Sequence, residues 1–175
     1  MSANNRLLAI WRKTSKSPGG KRVFSRLVCL DAPYCASLKP VFEVVQPGHV
    51  EVGMRRRRAV RDHAGDVHTM ALCNLAELAA RTLAEVTLPA SHGWLVSAVA
   101  AEYLQPATSA VLAVARARLA TAAEQHEQSV PVEVRDLQAI LVCRVRITLQ
   151  IAPQRQGTLR RHGPASRLHR PVLGA

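Results

Sequence analysis

Residues 61–83 read Arg61-Asp62-His63-Ala64-Gly65-Asp66-Val67-His68-Thr69-Met70-Ala71-Leu72-Cys73-Asn74-Leu75-Ala76-Glu77-Leu78-Ala79-Ala80-Arg81-Thr82-Leu83. From Val67 onward the stretch is rich in Ala, Leu and Met and holds neither Gly nor Pro, which predicts a long helix. Asp66 precedes the first turn, where a carboxylate would cap free N–H groups and meet the positive end of the helix dipole. Met70, Leu72, Leu75, Leu78, Ala79 and Leu83 fall on every side of this helix, and a helix apolar all round is a buried one. His68, Asn74 and Glu77 are the polar residues inside that apolar field that call for a reason.

His68 and Glu77 are nine residues apart, about 900° of rotation and roughly 13.5 Å along a helix axis. On one helix they lie on opposite sides and cannot share a site. They can cooperate only if two copies of the helix lie antiparallel, the start of one facing the middle of the other. The spacing therefore implies a two-fold homodimer with paired sites at its interface. The competing structural reading makes Glu77 a residue of an exposed turn and His68 a second capping residue, since structural charges also sit on helices.

The pattern resembles the hotdog-fold acyl-CoA thioesterase superfamily, in particular its phenylacetate-pathway-type and less characterised thioesterase-like members. That family's run is Asn or Gln, a short turn with Gly, His-Gly on the first turn of a long helix, and Asp or Glu eight residues after that Gly. Here Asp62 stands at the Asn/Gln position, Gly65 in the turn, His68 at the His, Thr69 at the Gly and Glu77 at the acid. Downstream, Ala101-Glu102-Tyr103-Leu104-Gln105-Pro106-Ala107 resembles the Glu-Tyr-Leu-Lys-Pro-Ala strand end of those proteins. The resemblance spans roughly Pro40 to Ile151, with two departures, Thr69 for Gly and Asp62 for an amide.

Around this centre the chain divides into an N-terminal helical arm (1–39), a main domain (40–152) and a basic tail (153–175). In the arm, Leu7, Leu8, Ile10 and Trp11 form one apolar face. After Pro18-Gly19-Gly20, Val23, Phe24, Leu27 and Val28 form a second at helical spacing. Both are expected to pack on the domain itself rather than lie on an anionic membrane. Val41 to Val45 and Val50 to Met54 are β-rich and flank the turn residues Gln46-Pro47-Gly48-His49. The second strand runs into Arg55-Arg56-Arg57-Arg58, either a solvated strand end or a phosphate clamp for the nucleotide of coenzyme A. Further strands are predicted at Trp94 to Leu104, Ala110 to Leu119, Val130 to Val134 and Ile140 to Ile151. In the last, Leu141, Cys143, Val145, Ile147, Leu149 and Ile151 alternate with polar residues, the mark of an antiparallel sheet with one wet face. The layout is α+β; the resemblance supplies its name, a hotdog fold with the sheet wrapped around the long helix.

At 175 residues with 48% apolar composition the chain can bury a core without metal or disulfide staples. Its four cysteines form no CxxC pair and read as reduced core residues of a cytoplasmic protein. No apolar run approaches the roughly 20 residues that span a bilayer, and no secretory signal order opens the chain. The net charge of +12 invites a nucleic-acid reading, yet the basic residues gather in the arm, at Arg55 to Arg61 and in the tail, without interleaved aromatics to stack bases. The tail, Arg-, Gly- and Pro-rich, is expected to be disordered.

The resemblance implies thioester hydrolysis of an acyl-CoA or acyl carrier protein substrate by a homodimer or dimer of dimers, with no cofactor beyond the coenzyme A moiety of the substrate and no metal. The Thr69 N–H, placed by His68, would hold the thioester oxygen at the helix N-terminus. Glu77 of the other subunit would act as general base or nucleophile. The β-branch of Thr69 crowds that approach, and an ionised Asp62 cannot donate the hydrogen bond of the family's amide. Two other classes compete: a non-catalytic hotdog protein that binds an acyl group or partner, and a basic binder of nucleic acid or membrane surface.

Overall fold

A computed structural model describes residues 3–153. The tail from residue 154 onward, with the expectation of disorder attached to it, lies outside the described residues. The Ala- and Leu-rich run forms helix α4 (Thr69–Thr87). Three helices precede it, α1 (Ala3–Thr14), α2 (Gly20–Asp31) and the short α3 (Pro33–Ala36), then strands β1 (Val41–Gln46) and β2 (His49–Met54). After α4 come β3 (His92–Tyr103), β4 (Val111–Arg116), β5 (His126–Asp136) and β6 (Leu141–Pro153).

The six strands make one antiparallel sheet in the order β1-β2-β4-β5-β6-β3. The Pro47-Gly48 turn joins β1 to β2 as its residues predict, with Gly48 at φ +78°. The sheet curls around α4, which touches every strand. Inward-facing residues of β6 (Cys143, Val145, Ile147, Leu149, Ile151) are buried in one core with Leu75, Leu78, Ala79 and Leu83 of α4, while Arg144 and Arg146 are exposed.

Helix α4 is not buried all round. Met70 is 57% exposed, and Cys73, Asn74, Glu77, Arg81 and Glu85 are only half-buried. These residues recur at three- and four-residue intervals, so they form one stripe that the protein's own sheet leaves partly uncovered.

The two edges of the sheet are managed differently. At β1, helix α2 packs against the strand, and buried Ser25 accepts the Phe42 N–H at 2.9 Å. Trp11, Phe24 and Phe42 stack edge-to-face in a chain from α1 through α2 to the strand, with centroid spacings of 4.9 and 5.3 Å. The arm therefore packs on its own domain. Its second apolar face is divided, however: Phe24 is buried, whereas Val23 and Leu27 are 49% and 41% exposed. Gly20 makes the close join between the helices, since a Cβ there would collide with the carbonyl of Thr14. At the other edge, β3 pairs with β6 along one side only, and nothing among the described residues pairs with its other side.

Candidate active site

The segment leading into α4 is closed by its own backbone. Asp62 N–H donates to the Asp66 carbonyl at 2.9 Å, Gly65 N–H to the Asp62 carbonyl at 3.2 Å, and Arg61 bridges to Val67. The Asp62 carboxylate accepts the Asp66 N–H at 3.1 Å. Asp62 thus staples this loop, a use that its carboxylate serves as well as an amide oxygen would. Gly65 takes φ +92°, and its carbonyl accepts from Arg56 Nε at 2.8 Å.

Because the chain turns back on itself at residues 63–66 and Val67 bridges to Arg61, the helix starts later than Asp66 would have it. His68 is the N-cap: its Nδ1 accepts the Met70 N–H at 3.1 Å, and its own N–H donates to the Val60 carbonyl at 2.8 Å. The capping role expected of Asp66 therefore belongs to His68. As a cap, His68 lies just outside the regular helix, so its separation from Glu77 along the axis is the firmer part of the spacing argument. His68, Thr69 and Met70 are all exposed, and the Thr69 N–H has no acceptor among the described residues. An unpaired, exposed N–H at the first turn is able to bind an anion or polarised carbonyl.

The two sequence motifs meet here. Val67 N–H donates to the Ala107 carbonyl at 2.9 Å. The Tyr103 hydroxyl lies 2.9 Å from Cys73 Sγ and 3.5 Å from the Thr69 carbonyl oxygen. Desolvation and the hydrogen bond with Cys73 push the Tyr103 phenol up to about 12. The linear sequence shows Tyr103 only as part of the Glu-Tyr-Leu motif at its strand end; the pairing of β3 with β6 brings it to the helix start.

Glu77 sits two turns further along, on the uncovered stripe, its side chain 30% exposed. Arg81 Nη1 donates to its Oε1 at 3.0 Å, and the Arg81 guanidinium lies 5.8 Å from the centroid of the Trp94 ring. Asn74, the third polar residue of the helix, is half-buried one turn before Glu77 on the same stripe. From α3, Cys35 lies within the fields of both charges; burial is the main cause that raises its thiol, with Arg81 lowering it and Glu77 raising it.

The run Arg55 to Arg58 is not a strand end with alternating faces. The strand stops at Met54, and the arginines diverge: Arg56 goes to the Gly65 carbonyl, Arg57 Nη2 to the Ser37 carbonyl at 2.8 Å, and Arg58 opens a short 3-10 turn. Among the described residues, no three His, Cys, Asp or Glu side chains converge as metal ligands would. No helix there is long and apolar enough to cross a membrane.

A family model described as Domain of unknown function (DUF4442) matches residues 20–151. Among solved structures, the protein APC5556 is 34% identical with a TM-score of 0.74, covering 86% of this chain and 99% of that one. The thioesterase HI1161 from Haemophilus influenzae is 19% identical with a TM-score of 0.64, covering 72% of this chain and 87% of that one. A mutant of the thioesterase SAV0944 from Staphylococcus aureus is also 19% identical, with a TM-score of 0.59, covering 69% of this chain and 99% of that one. No curated protein matches the chain. The antiparallel six-stranded sheet around α4 is the hotdog fold that the sequence motifs imply.

Proposed function

The chain belongs to the DUF4442 family, and from its hotdog fold, its likeness to solved thioesterases and the geometry of α4 we propose that it is a thioester hydrolase. It acts on an acyl-CoA or acyl carrier protein substrate, through sites shared across a homodimer. One observation carries the reading: the unpaired edge strand β3 runs along α4, its Tyr103 end beside Thr69 and its Trp94 end beside Arg81 and Glu77. Antiparallel pairing of two such edges about a two-fold axis sets the Tyr103 end of one copy against the Trp94 end of the other. Thr69 of one subunit then faces Glu77 of the partner subunit, and the uncovered stripe of α4 is covered.

In such a site the thioester carbonyl oxygen accepts from the Thr69 N–H in the positive field of the helix start. Glu77 of the partner subunit takes a proton from water as it attacks the carbonyl carbon. The C–S bond then breaks, and the thiolate leaves with a proton while the acid is released. His68 contributes by holding the turn through its Met70 bond rather than by touching the carbonyl.

A second reading, an acyl-binding protein without turnover, draws on Thr69, whose Cβ narrows the approach to its own N–H, and on Arg81, which already engages the Glu77 carboxylate. Assay of the purified protein against acyl-CoAs of graded chain length separates the two. Release of free thiol by the wild type, abolished in Glu77→Ala, supports hydrolysis. Tight acyl-CoA binding with no thiol released would leave the binding reading in its place.

A further inference from the structure

Away from the start of α4, a groove of about 1420 Å³ lies between α2 and the β1, β2 and β4 end of the sheet. Its floor is apolar, with Val41, Val111 and Leu112 among its residues, while six cations line it: Lys21, Arg22, Arg26, Lys39, Arg55 and Arg57. Only two carboxylates join them. Glu43 is taken by Lys21 at 2.6 Å, and Asp136 accepts the N–H groups of Gln138 and Ile140, both at 2.9 Å. Arg22, Arg26, Lys39 and Arg55 pair with no carboxylate among the described residues. Arg57 donates through Nη2 to Ser37, but its Nε is buried without a partner.

Cations gathered in a concave surface repel one another and concentrate the field there, so a polyanion gains from all of them at once. Guanidinium groups pair with phosphate in particular, through parallel N–H donors. A lining that combines apolar residues with six cations suits a ligand with a ring system and several phosphates. Helix α3 connects the groove with the Glu77 region: Ala36 and Lys39 line the groove, while Cys35, next in the chain to Ala36, feels the charges of Arg81 and Glu77.

We propose that this groove holds the phosphorylated nucleotide end of the acyl carrier, with its phosphates against Arg22, Arg26, Lys39 and Arg55 and its base on the apolar floor. The assignment rests on the thioester-hydrolase reading for its choice of nucleotide. It places the nucleotide on the subunit that supplies Glu77, with the thioester arm passing α3 toward Thr69 of the partner subunit. It also makes coenzyme A, rather than a carrier protein, the preferred leaving group.

The test is binding of adenosine 3′,5′-bisphosphate to the full chain by calorimetry, which requires no turnover. Arg26→Ser with Arg55→Ser is expected to weaken binding on the order of tenfold or more, the loss of two charge-assisted contacts. Arg118→Ser with Arg146→Ser removes the same charge from exposed positions outside the groove and is expected to change binding by less than about twofold. In turnover, the groove variant should raise KM for an acyl-CoA with kcat retained, and leave the corresponding acyl-pantetheine unaffected. Equal losses in the two double variants, inorganic phosphate binding as tightly as the bisphosphate, or an acyl carrier protein alone depending on Arg26 and Arg55 would each overturn the proposal. Nucleotide binding in the groove by a chain that cleaves no thioester would retain the site and remove the hydrolase reading instead.

Discussion

Arg81 reaches back one turn of α4 to Glu77, Nη1 to Oε1 at 3.0 Å, while its guanidinium rests over the Trp94 ring. The pair fixes the carboxylate on the stripe that the sheet leaves uncovered. It contributes little to stability, about 0.3–0.5 kcal/mol for a partly exposed pair at this spacing. Glu77→Gln keeps the size and shape of the side chain but cannot take a proton from water. We predict a fall in kcat of about 10²–10⁴-fold with an unchanged thermal midpoint. Wild-type turnover in Glu77→Gln would remove Glu77 from the mechanism.

Thr69→Gly is predicted to act in the opposite sense. Thr69 is exposed and its N–H has no acceptor among the described residues, so its β-branched side chain stands beside the approach of a carbonyl to that N–H. Removing that side chain should raise kcat/KM, at a cost of about 1 kcal/mol or less in helix propensity at the first turn. Steady-state kinetics with one acyl-CoA checks it; a lower kcat/KM in a fully folded variant would show that the Thr69 hydroxyl or its packing assists the reaction.

The central helix, the β1–β2 hairpin and the alternation of β6 were legible because each is written in local periodicity: the Ala/Leu run, Pro47-Gly48 between β-rich segments, and Leu141 to Ile151 at period two. The start of β5 was not, because Gln125-His126-Glu127-Gln128-Ser129 carries no apolar alternation; pairing with β6 draws it into the sheet from His126. Asp66 reads as the cap because a carboxylate two residues earlier is the stronger local signal, and the loop bonds that hold Asp62 to Asp66 are invisible in a linear reading. The half-buried stripe of α4 escaped a reading based on hydrophobicity, since Met70 and Cys73 are as apolar as residues that are buried. What leaves them open is the edge position of β3, a property of strand order. Tyr103 and the cationic groove have the same origin, each assembled from segments far apart in the chain.

Phe24 tests whether the N-terminal arm belongs to the core. It is fully buried between Trp11 and Phe42, although it comes from a helix that precedes the sheet. Phe24→Ala is predicted to cost about 3–5 kcal/mol, as for an aromatic removed from a packed interior. Urea unfolding measures it, and a loss below about 1 kcal/mol would show that the arm is only loosely attached.

Stability should fall in mild alkali. Burial pushes the thiols of Cys29 and Cys143 up to about 11, from an ordinary value of 9.0. Between those values the unfolded chain has released these protons and the folded chain has kept them. The folded state thus binds more protons, and stability declines as pH rises from 9 toward 11. Cys29→Ala with Cys143→Ala should flatten this decline in unfolding free energies measured at pH 8 and 10.5. An equal slope in the double variant would assign it to other groups.

The shared site makes a prediction that no single-chain site makes. If Thr69 and its cap His68 serve one end of the site and Glu77 of the partner subunit the other, each homodimer of a single variant carries the same lesion at both sites. Glu77→Ala homodimers lack the base twice, and His68→Ala homodimers lose the Met70 cap twice. Mixing the two variants and allowing subunits to exchange yields heterodimers in which one interface site collects both lesions and the other has none. Activity should then return, to about half the wild-type level per heterodimer, since each dimer has two sites by symmetry. A site contained within one chain gives no such recovery, because every chain in the mixture is defective. Sedimentation of differently tagged variants establishes that heterodimers form. Mixed dimers that remain as inactive as their parents would refute the two-fold arrangement of β3 and α4 on which the proposed mechanism depends.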